Sequence, residues 1–188
     1  MNTIKAVNFV IRNANPEEYQ PLGELTAAAY EQLNGMPSAP EQPDYYGMIR
    51  DVEGRARKPS VEILAAVSAD GVLLGGVTFV GDMADYGSGG TAGTVANSSG
   101  IRLLAVRPSC RRHGVGRALT EACIRRAVQL GKSRIVLHTT KAMQLAWRLY
   151  EHMGFHRSPD LDFMQGRLEV FGFCLTLKQQ WRHHRLPR

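Results

Sequence analysis

The sequence has few cysteines and no long apolar run. Cys110, Cys123 and Cys174 are widely spaced and form no C-x-x-C pair. This argues against a disulfide framework or a zinc site and favours a reducing compartment. No apolar run approaches the roughly 18 residues of a membrane span, and the residues MNTIKAVNFVIRN lack the apolar core of a secretion signal. We therefore expect a cytoplasmic location, no membrane partner and no bound metal.

The bulk composition is that of a globular protein, with 44% hydrophobic and 21% charged residues in a chain of 188. This length suffices for one domain with a sizeable core. We expect a single domain over residues 1–188, with its core at about 8–178 and a basic tail at 179–188.

The net charge of +6 is unevenly distributed. Residues 1–100 hold 6 Lys and Arg against 12 Asp and Glu, whereas residues 101–188 hold 17 against 5. A basic half suits either a nucleic acid or a ligand with several phosphates. No aromatic-rich RNA platform or recognition-helix pattern accompanies the charge, so nucleic acid is not an expected partner.

Residues 103–119, LLAVRPSCRRHGVGRAL, are the most informative stretch. They predict a strand that stops at Pro108, a loop rich in Arg and Gly, and then an amphipathic helix. Bare N–H groups at a helix N-terminus bind anions, and Gly114 and Gly116 let a large anion approach closely. Three arginines add donors suited to phosphate: Arg111, Arg112 and Arg117.

Two common phosphate motifs do not fit the sequence. A dinucleotide fingerprint, G-x-G-x-x-G, would need glycine where Leu119 stands. A P-loop would place its first glycine at Arg126, and its Gly131-Lys132-Ser133 leads from helix to strand, the wrong direction. Gly131 is instead interpreted as a helix C-cap.

A third motif fits. Arg111-x-x-Gly114-x-Gly116 resembles (Q/R)-x-x-G-x-(G/A), the acetyl-CoA pyrophosphate loop of the GNAT superfamily of N-acetyltransferases. About thirty residues later, Ala146-x-x-Leu149-Tyr150-x-x-x-Gly154-Phe155 resembles the second signature of that family, A-x-x-L-Y-x-x-x-G-F. Both occur in the family's order and spacing, and the resemblance extends loosely from about Asn8 to Lys178.

The resemblance implies an α/β (α+β) fold with a mixed, mostly antiparallel sheet of about 6–7 strands flanked by about 4 helices. Its central strands, about 101–106 and 134–139, would splay apart. The implied reaction is direct transfer of the acetyl group from acetyl-CoA to a primary amine, on a small molecule in our interpretation. Alternatives are a protein N-terminal or lysine acetyltransferase, or a non-catalytic acetyl-CoA-binding regulatory module. A monomer or a homodimer is expected.

The resemblance also assigns site residues. Tyr150 matches the family tyrosine that acts as general acid toward the CoA thiolate. The backbone of Leu104, Ala105 and Val106 matches the strand edge that pairs with the pantetheine arm. The remaining expected cofactor-binding residues belong to the loop and the start of the helix: Arg111, Arg112, His113, Gly114, Val115, Gly116, Arg117 and Ala118.

Two family positions differ here. Met143 stands where an Asn commonly holds the CoA arm, so that contact is absent or replaced. Gly100 stands where many relatives carry a Glu that acts as general base. Deprotonation could run through ordered water, through a distant carboxylate (Glu62, Asp82 or Asp85), or need little help for an amine of lower pKa. His138, near the end of a central strand, could face the acceptor.

The rest of the chain predicts further elements. We expect a first strand at 8–12, helices at about 15–33 and 44–57, and a hairpin of 61–68 and 72–80 around Asp70-Gly71. A helix over 116–130 should bury Cys123, and a last strand should cover 168–177. The Gly-rich segment 81–100 predicts either a mobile connector or a flap over the acceptor site.

Overall fold

A computed structural model describes residues 8–177, so the predicted basic tail lies outside the described residues. Its strands are β1 Phe9–Asn13, β2 Val61–Ser68, β3 Leu73–Val80, β4 Ser98–Val106, β5 Arg134–Thr139, β6 His156–Arg157, β7 Phe163–Gln165 and β8 Leu168–Thr176. Its α-helices are α1 Tyr19–Glu31, α2 Pro43–Arg50, α3 Val52–Ala56, α4 Val115–Gln129 and α5 Gln144–His152.

The strands form one mixed sheet in the order β1-β2-β3-β4-β5-β8-β6, with β7 paired to β8. Only β4 and β5 run parallel among the strand pairs of residues 8–177. The predicted mixed, mostly antiparallel sheet is confirmed. The observed sheet also contains two short strands that the sequence analysis did not predict, β6 of two residues and β7 of three. They are too short to leave a periodic sequence pattern.

The prediction of one continuous helix over residues 44–57 is wrong, because the structure has two helices there, α2 and α3, which are separated at Asp51. The Asp51 side chain accepts a hydrogen bond from the Gly54 N–H at 2.8 Å and so caps α3. The Arg55 guanidinium donates to the carbonyl groups of Met48 and Ile49 in the last turn of α2. Side-chain donors thus replace the backbone bonds of a continuous helix.

The parting of β4 from β5 confirms the predicted splay. The two strands pair only from Ser98 opposite Arg134 to Ile101 opposite Leu137. Against β3, the register shifts between Thr78, opposite Arg102, and Gly76, opposite Ala105, so β4 carries one extra residue. Leu103 has a φ of 55° within this bulge. A bulge bends its strand, and here it turns the end of β4 away from β5.

Helix α4 fixes the loop before it by packing on the sheet. Leu119, Cys123 and Ala127 are fully buried, and they share one cluster with Leu64, Ile135 and other sheet residues. The prediction that Cys123 is a core residue is confirmed. Burial raises the pKa of its thiol to about 12, so Cys123 stays protonated and unreactive at neutral pH.

The segment at 81–97 is packed against the sheet and differs from an open connector. Met83, Tyr86 and Ala92 are buried in a cluster with Val80, Val136 and Cys174. The strand after it begins at Ser98, three residues earlier than predicted. The Tyr86 ring occupies the space beside Gly100, where a Cβ would overlap ring carbons. Glycine at position 100 therefore admits the aromatic ring.

We predict that Gly100→Ala lowers the free energy of unfolding by about 1–3 kcal/mol, because the added methyl overlaps the Tyr86 ring. Gly47→Ala is the matched control. Gly47 is exposed within α2, and no atom lies within 4 Å of its Cβ position. Alanine there should stabilise by about 0.5–1 kcal/mol. Urea denaturation of both variants measures the difference, and equal stabilities would show that the ring does not fill this space.

Candidate active site

A cavity of about 340 Å³ opens where β4 leaves β5. It is lined by the end of β4, the loop after it, the first turn of α4, the residues of α1 near Tyr30, and residues 142–149. Most of the predicted cofactor-binding residues line it: Leu104, Ala105, Val106, Arg111, Arg112, Gly114, Gly116 and Arg117. His113, Val115 and Ala118 belong to the same loop and helix start but do not line it.

The exposed edge of β4 presents backbone polar groups to the cavity. The Ala105 carbonyl points toward Gly75 on β3, so by alternation the backbone groups of Leu104 and Val106 face the opening. The Leu104 carbonyl accepts a bond from the Tyr30 hydroxyl at 3.3 Å, and the Val106 carbonyl accepts one from Arg111 Nε at 3.4 Å. The N–H groups of Leu104 and Val106 remain available to an extended ligand.

The loop and the start of α4 present six consecutive N–H groups, those of residues 112–117. None of them donates to an acceptor within residues 8–177, and the first helical bond runs from Ala118 N–H to the Gly114 carbonyl at 2.9 Å. Positive φ angles at Arg112 (64°) and Gly114 (82°) turn successive N–H groups toward one side. No acidic residue lies in the first turn of α4. Free N–H groups at a helix N-terminus are the arrangement that suits an anion.

Tyr150 is 4% exposed and lies behind the cavity wall formed by its neighbour Leu149. Its ring packs on Phe155 with centroids 5.7 Å apart. Its hydroxyl makes no hydrogen bond within residues 8–177, and it is not among the three fully buried side-chain atoms there that lack a partner. Tyr150 itself lines neither cavity, so its hydroxyl is adjacent to the larger cavity through Leu149 rather than part of its wall. Burial raises the pKa of Tyr150, so its hydroxyl carries a proton at neutral pH.

A second cavity, of about 70 Å³, lies on the other side of the bulge and shares Tyr30 and Met143 with the first. Met143, which occupies the family Asn position, thus lines both spaces. Five of the fifteen residues that line the second cavity are aromatic: Tyr30, Tyr45, Tyr86, His138 and Phe163. Its small volume and the two wall residues that it shares with the first cavity make it a candidate acceptor site.

His138 lines this second cavity. Its Nε2 is 2.9 Å from the Leu161 carbonyl, and its Nδ1 is 2.9 Å from the Tyr86 hydroxyl. Because a carbonyl can only accept, Nε2 carries the proton, and Nδ1 accepts from Tyr86. Burial lowers the pKa of His138, and the ring is neutral at pH 7.

None of the carboxylates considered as general bases lines either cavity. Glu62 is paired with Arg126 at 2.8 Å. Asp82 accepts from the Ala84 N–H at 3.0 Å, and Asp85 accepts from the Ser60 hydroxyl at 2.8 Å. Each of them has a structural role away from the cleft.

The sequence patterns did not indicate two residues that line the second cavity, Tyr86 and Arg102. The one available signal was Gly100, because a missing side chain next to a β-rich run indicates close approach of another group. Which group approaches depends on tertiary packing. In addition, residues 8–177 contain no group of three or more metal-ligating side chains, and no helix within them is long and apolar enough to cross a membrane.

We predict that His138 titrates below the usual pH range for histidine, measured by its ¹⁵N ring shifts and assigned by comparison with His138→Gln. The unfolded chain, with a pKa of about 6.5, then binds its proton before the folded chain does. Stability is therefore lost as pH falls from about 6.5 toward the lowered folded pKa. The loss should be smaller in His138→Gln, and a histidine that titrates at or above 6.5 would contradict the assignment.

The sequence matches the model of the acetyltransferase (GNAT) family over residues 23–155. No curated protein matches the chain by sequence.

Solved structures share the fold at low sequence identity. An acetyltransferase of the GNAT family from Staphylococcus aureus Mu50 superposes with a TM-score of 0.68 at 16% identity, over 90% of this chain and 99% of the other. The PaiA N-acetyltransferase from Thermoplasma acidophilum, in complex with coenzyme A, gives 0.66 at 16%, over 88% and 98%. Spermidine N-acetyltransferase from Vibrio cholerae, in complex with CoA and spermine, gives 0.59 at 16%, over 90% and 95%. These likenesses establish the fold alone.

Proposed function

Because the chain belongs to the GNAT family of acetyltransferases, we propose that it moves the acetyl group of acetyl-CoA directly to the primary amine of a small molecule. The observation that carries this proposal is the continuity of the large cavity with the six free N–H groups of residues 112–117. A ligand with an extended amide arm and a diphosphate at its end matches both parts.

The diphosphate of acetyl-CoA binds the N–H groups of residues 112–117, and the three loop arginines supply charge-assisted hydrogen bonds. Arg117 is held at 2.9 Å by Glu121, which leaves Arg111 and Arg112 as the cations without an acidic partner among the described residues. The pantetheine amides pair with the free backbone groups of Leu104 and Val106, as an added strand pairs with a sheet edge. A volume of about 340 Å³ suits such an arm.

The reaction joins the amine nitrogen to the acetyl carbon and breaks the carbon–sulfur bond. The amine must enter neutral, which for a lysine-like pKa of about 10.4 is roughly one molecule in a few thousand at pH 7. Tyr150, protonated because it is buried, donates its proton to the departing thiolate. The surplus proton of the newly bonded nitrogen then returns, through water, to the Tyr150 phenolate, so the products are the amide and the CoA thiol. The unpaired N–H groups of Leu104 and Val106 on the β4 edge are the backbone donors that can polarise the acetyl oxygen. The small acceptor cavity favours a small molecule over a peptide.

We predict that Gly116→Glu weakens acetyl-CoA binding by about 100-fold or more, measured by isothermal titration calorimetry, because the carboxylate enters the anion site. Gly116→Ala is the matched control. Its Cβ would meet Leu149 at 3.5 Å and Val106 at 3.6 Å, which are ordinary contacts, so its affinity should stay within a few-fold of the parent. Equal affinities of the Glu variant and the parent for acetyl-CoA would show that the loop is not part of the binding site.

We predict that Tyr150→Phe lowers kcat by about 10- to 1000-fold, with the Kd for acetyl-CoA nearly unchanged, because only the proton donor is lost. Tyr46→Phe is the control. Unlike the Tyr150 hydroxyl, the Tyr46 hydroxyl already donates to a carbonyl, that of Pro37 at 2.7 Å, so kcat should not change when it is removed. Thiol release measures both. An unchanged kcat in Tyr150→Phe would exclude this role, and acetyl-CoA binding without transfer to any amine would favour a regulatory module.

A further inference from the structure

Arg102 is the only charged side chain among the described residues that line the acceptor cavity. It lies on β4 next to the bulge and is half-buried. Its Nη1 donates to the Tyr86 carbonyl at 2.7 Å, and its guanidinium lies over the Tyr86 ring, 5.5 Å from the centroid. The other terminal nitrogen of the guanidinium, Nη2, has only a weak acceptor, the Met48 Sδ at 3.9 Å.

No carboxylate within residues 8–177 lies within 4 Å of the Arg102 nitrogens, and no acidic side chain lines the cavity. A desolvated cation without a counter-ion is costly, and burial accordingly lowers the pKa of Arg102. Lys58 lies outside the cavity wall, where its Nζ donates to the carbonyl of an acidic residue, Asp85, at 3.3 Å. The charge of the cavity wall is therefore that of Arg102. The acceptor site is thus electropositive.

Arg55 is also buried without a carboxylate within 4 Å, and its Nε has no hydrogen-bond partner among the described residues. It differs from Arg102 in what its other nitrogens contact. Its Nη atoms donate to the carbonyls of Met48 and Ile49 at the C-terminal end of α2, where the helix dipole favours a cation. Arg55 therefore has a structural explanation, and it lines neither cavity. Arg102 faces the cavity with a donor edge that the protein leaves without a strong acceptor.

We propose that the acceptor is a small amine that also carries a carboxylate, an amino acid rather than a polyamine, and that Arg102 binds its carboxylate. This rests on the proposed acetyl transfer and names its substrate class. The carboxylate supplies the missing counter-ion, and the aromatic walls contact an apolar side chain. A polyamine would instead place a second ammonium group against Arg102, with no carboxylate on the cavity wall to offset it.

The test compares amines that differ only by the carboxylate: phenylalanine with phenethylamine, tyrosine with tyramine, and methionine with 3-(methylthio)propylamine. The remaining common amino acids and spermidine complete the panel. Thiol release from acetyl-CoA gives kcat/KM for each. We expect the preferred amino acid to exceed its decarboxylated partner by about 10- to 100-fold, and spermidine to react more slowly than either.

Arg102→Met should reduce kcat/KM for the amino acid about 100-fold, mainly through KM, and leave the decarboxylated amine unchanged. Arg102→Lys keeps the charge and should restore part of the loss. Lys58→Met is the matched control, because Lys58 also donates to a carbonyl of the same segment but does not line the cavity. Lys58→Met should keep the higher kcat/KM for the amino acid over its decarboxylated partner. Thermal unfolding of Arg102→Met that matches the parent shows that the fold is intact, so an equal loss for both members of a pair then contradicts the role of Arg102.

Preference for the decarboxylated amines or for spermidine would overturn the proposal, as would an equal loss for both members of a pair in Arg102→Met. Transfer to none of the amino acids would overturn it as well. These outcomes differ from failure of the proposed function, in which acetyl-CoA does not bind or no amine of any class is acetylated. If the protein acetylates only amines without a carboxylate, the proposed function stands and the inference about the amino acid is contradicted.

Discussion

The architecture of both cavities depends on one interruption of backbone pairing, the point after Ile101 where β4 ceases to bond to β5. The bulge at Leu103 turns the strand and exposes one edge of Leu104 and Val106. On one side the opening leads to the N-terminus of α4, and on the other it leads to the aromatic space near His138. Because both the bulge and the end of the β4–β5 pairing lie within the sheet, the cleft is a property of the sheet.

The two spaces have complementary chemistry. The larger ends in a row of backbone donors and arginines, which suits a diphosphate and requires few particular side chains. The smaller presents aromatic rings, a neutral imidazole and Arg102, with no carboxylate. We infer a division in which backbone groups bind the acyl donor and side chains select the acceptor. Such a division explains how a widely shared fold at low identity can serve different amines.

The loop and helix that line the larger cavity were largely predictable from the sequence, whereas the walls of the smaller cavity were not. The conformation of the loop Arg111-x-x-Gly114-x-Gly116 can be predicted locally, because glycine spacing and a helix start depend on residues close in sequence. The division of the 44–57 helix depends on Arg55 reaching back to α2, and the Tyr86 ring beside Gly100 depends on a segment fourteen residues away. Those contacts depend on tertiary packing, which residue spacing does not report. The role of Tyr150 remains a prediction.

The most direct test of the cleft is an NMR titration that follows assigned backbone amides. Acetyl-CoA should shift the amide signals of residues 112–117 together with those of Leu104 and Val106. S-acetyl-pantetheine, which lacks the diphosphate, should shift Leu104 and Val106 alone. Saturable binding of acetyl-CoA that leaves the amides of residues 112–117 unmoved would contradict the account, because the phosphates would then bind elsewhere.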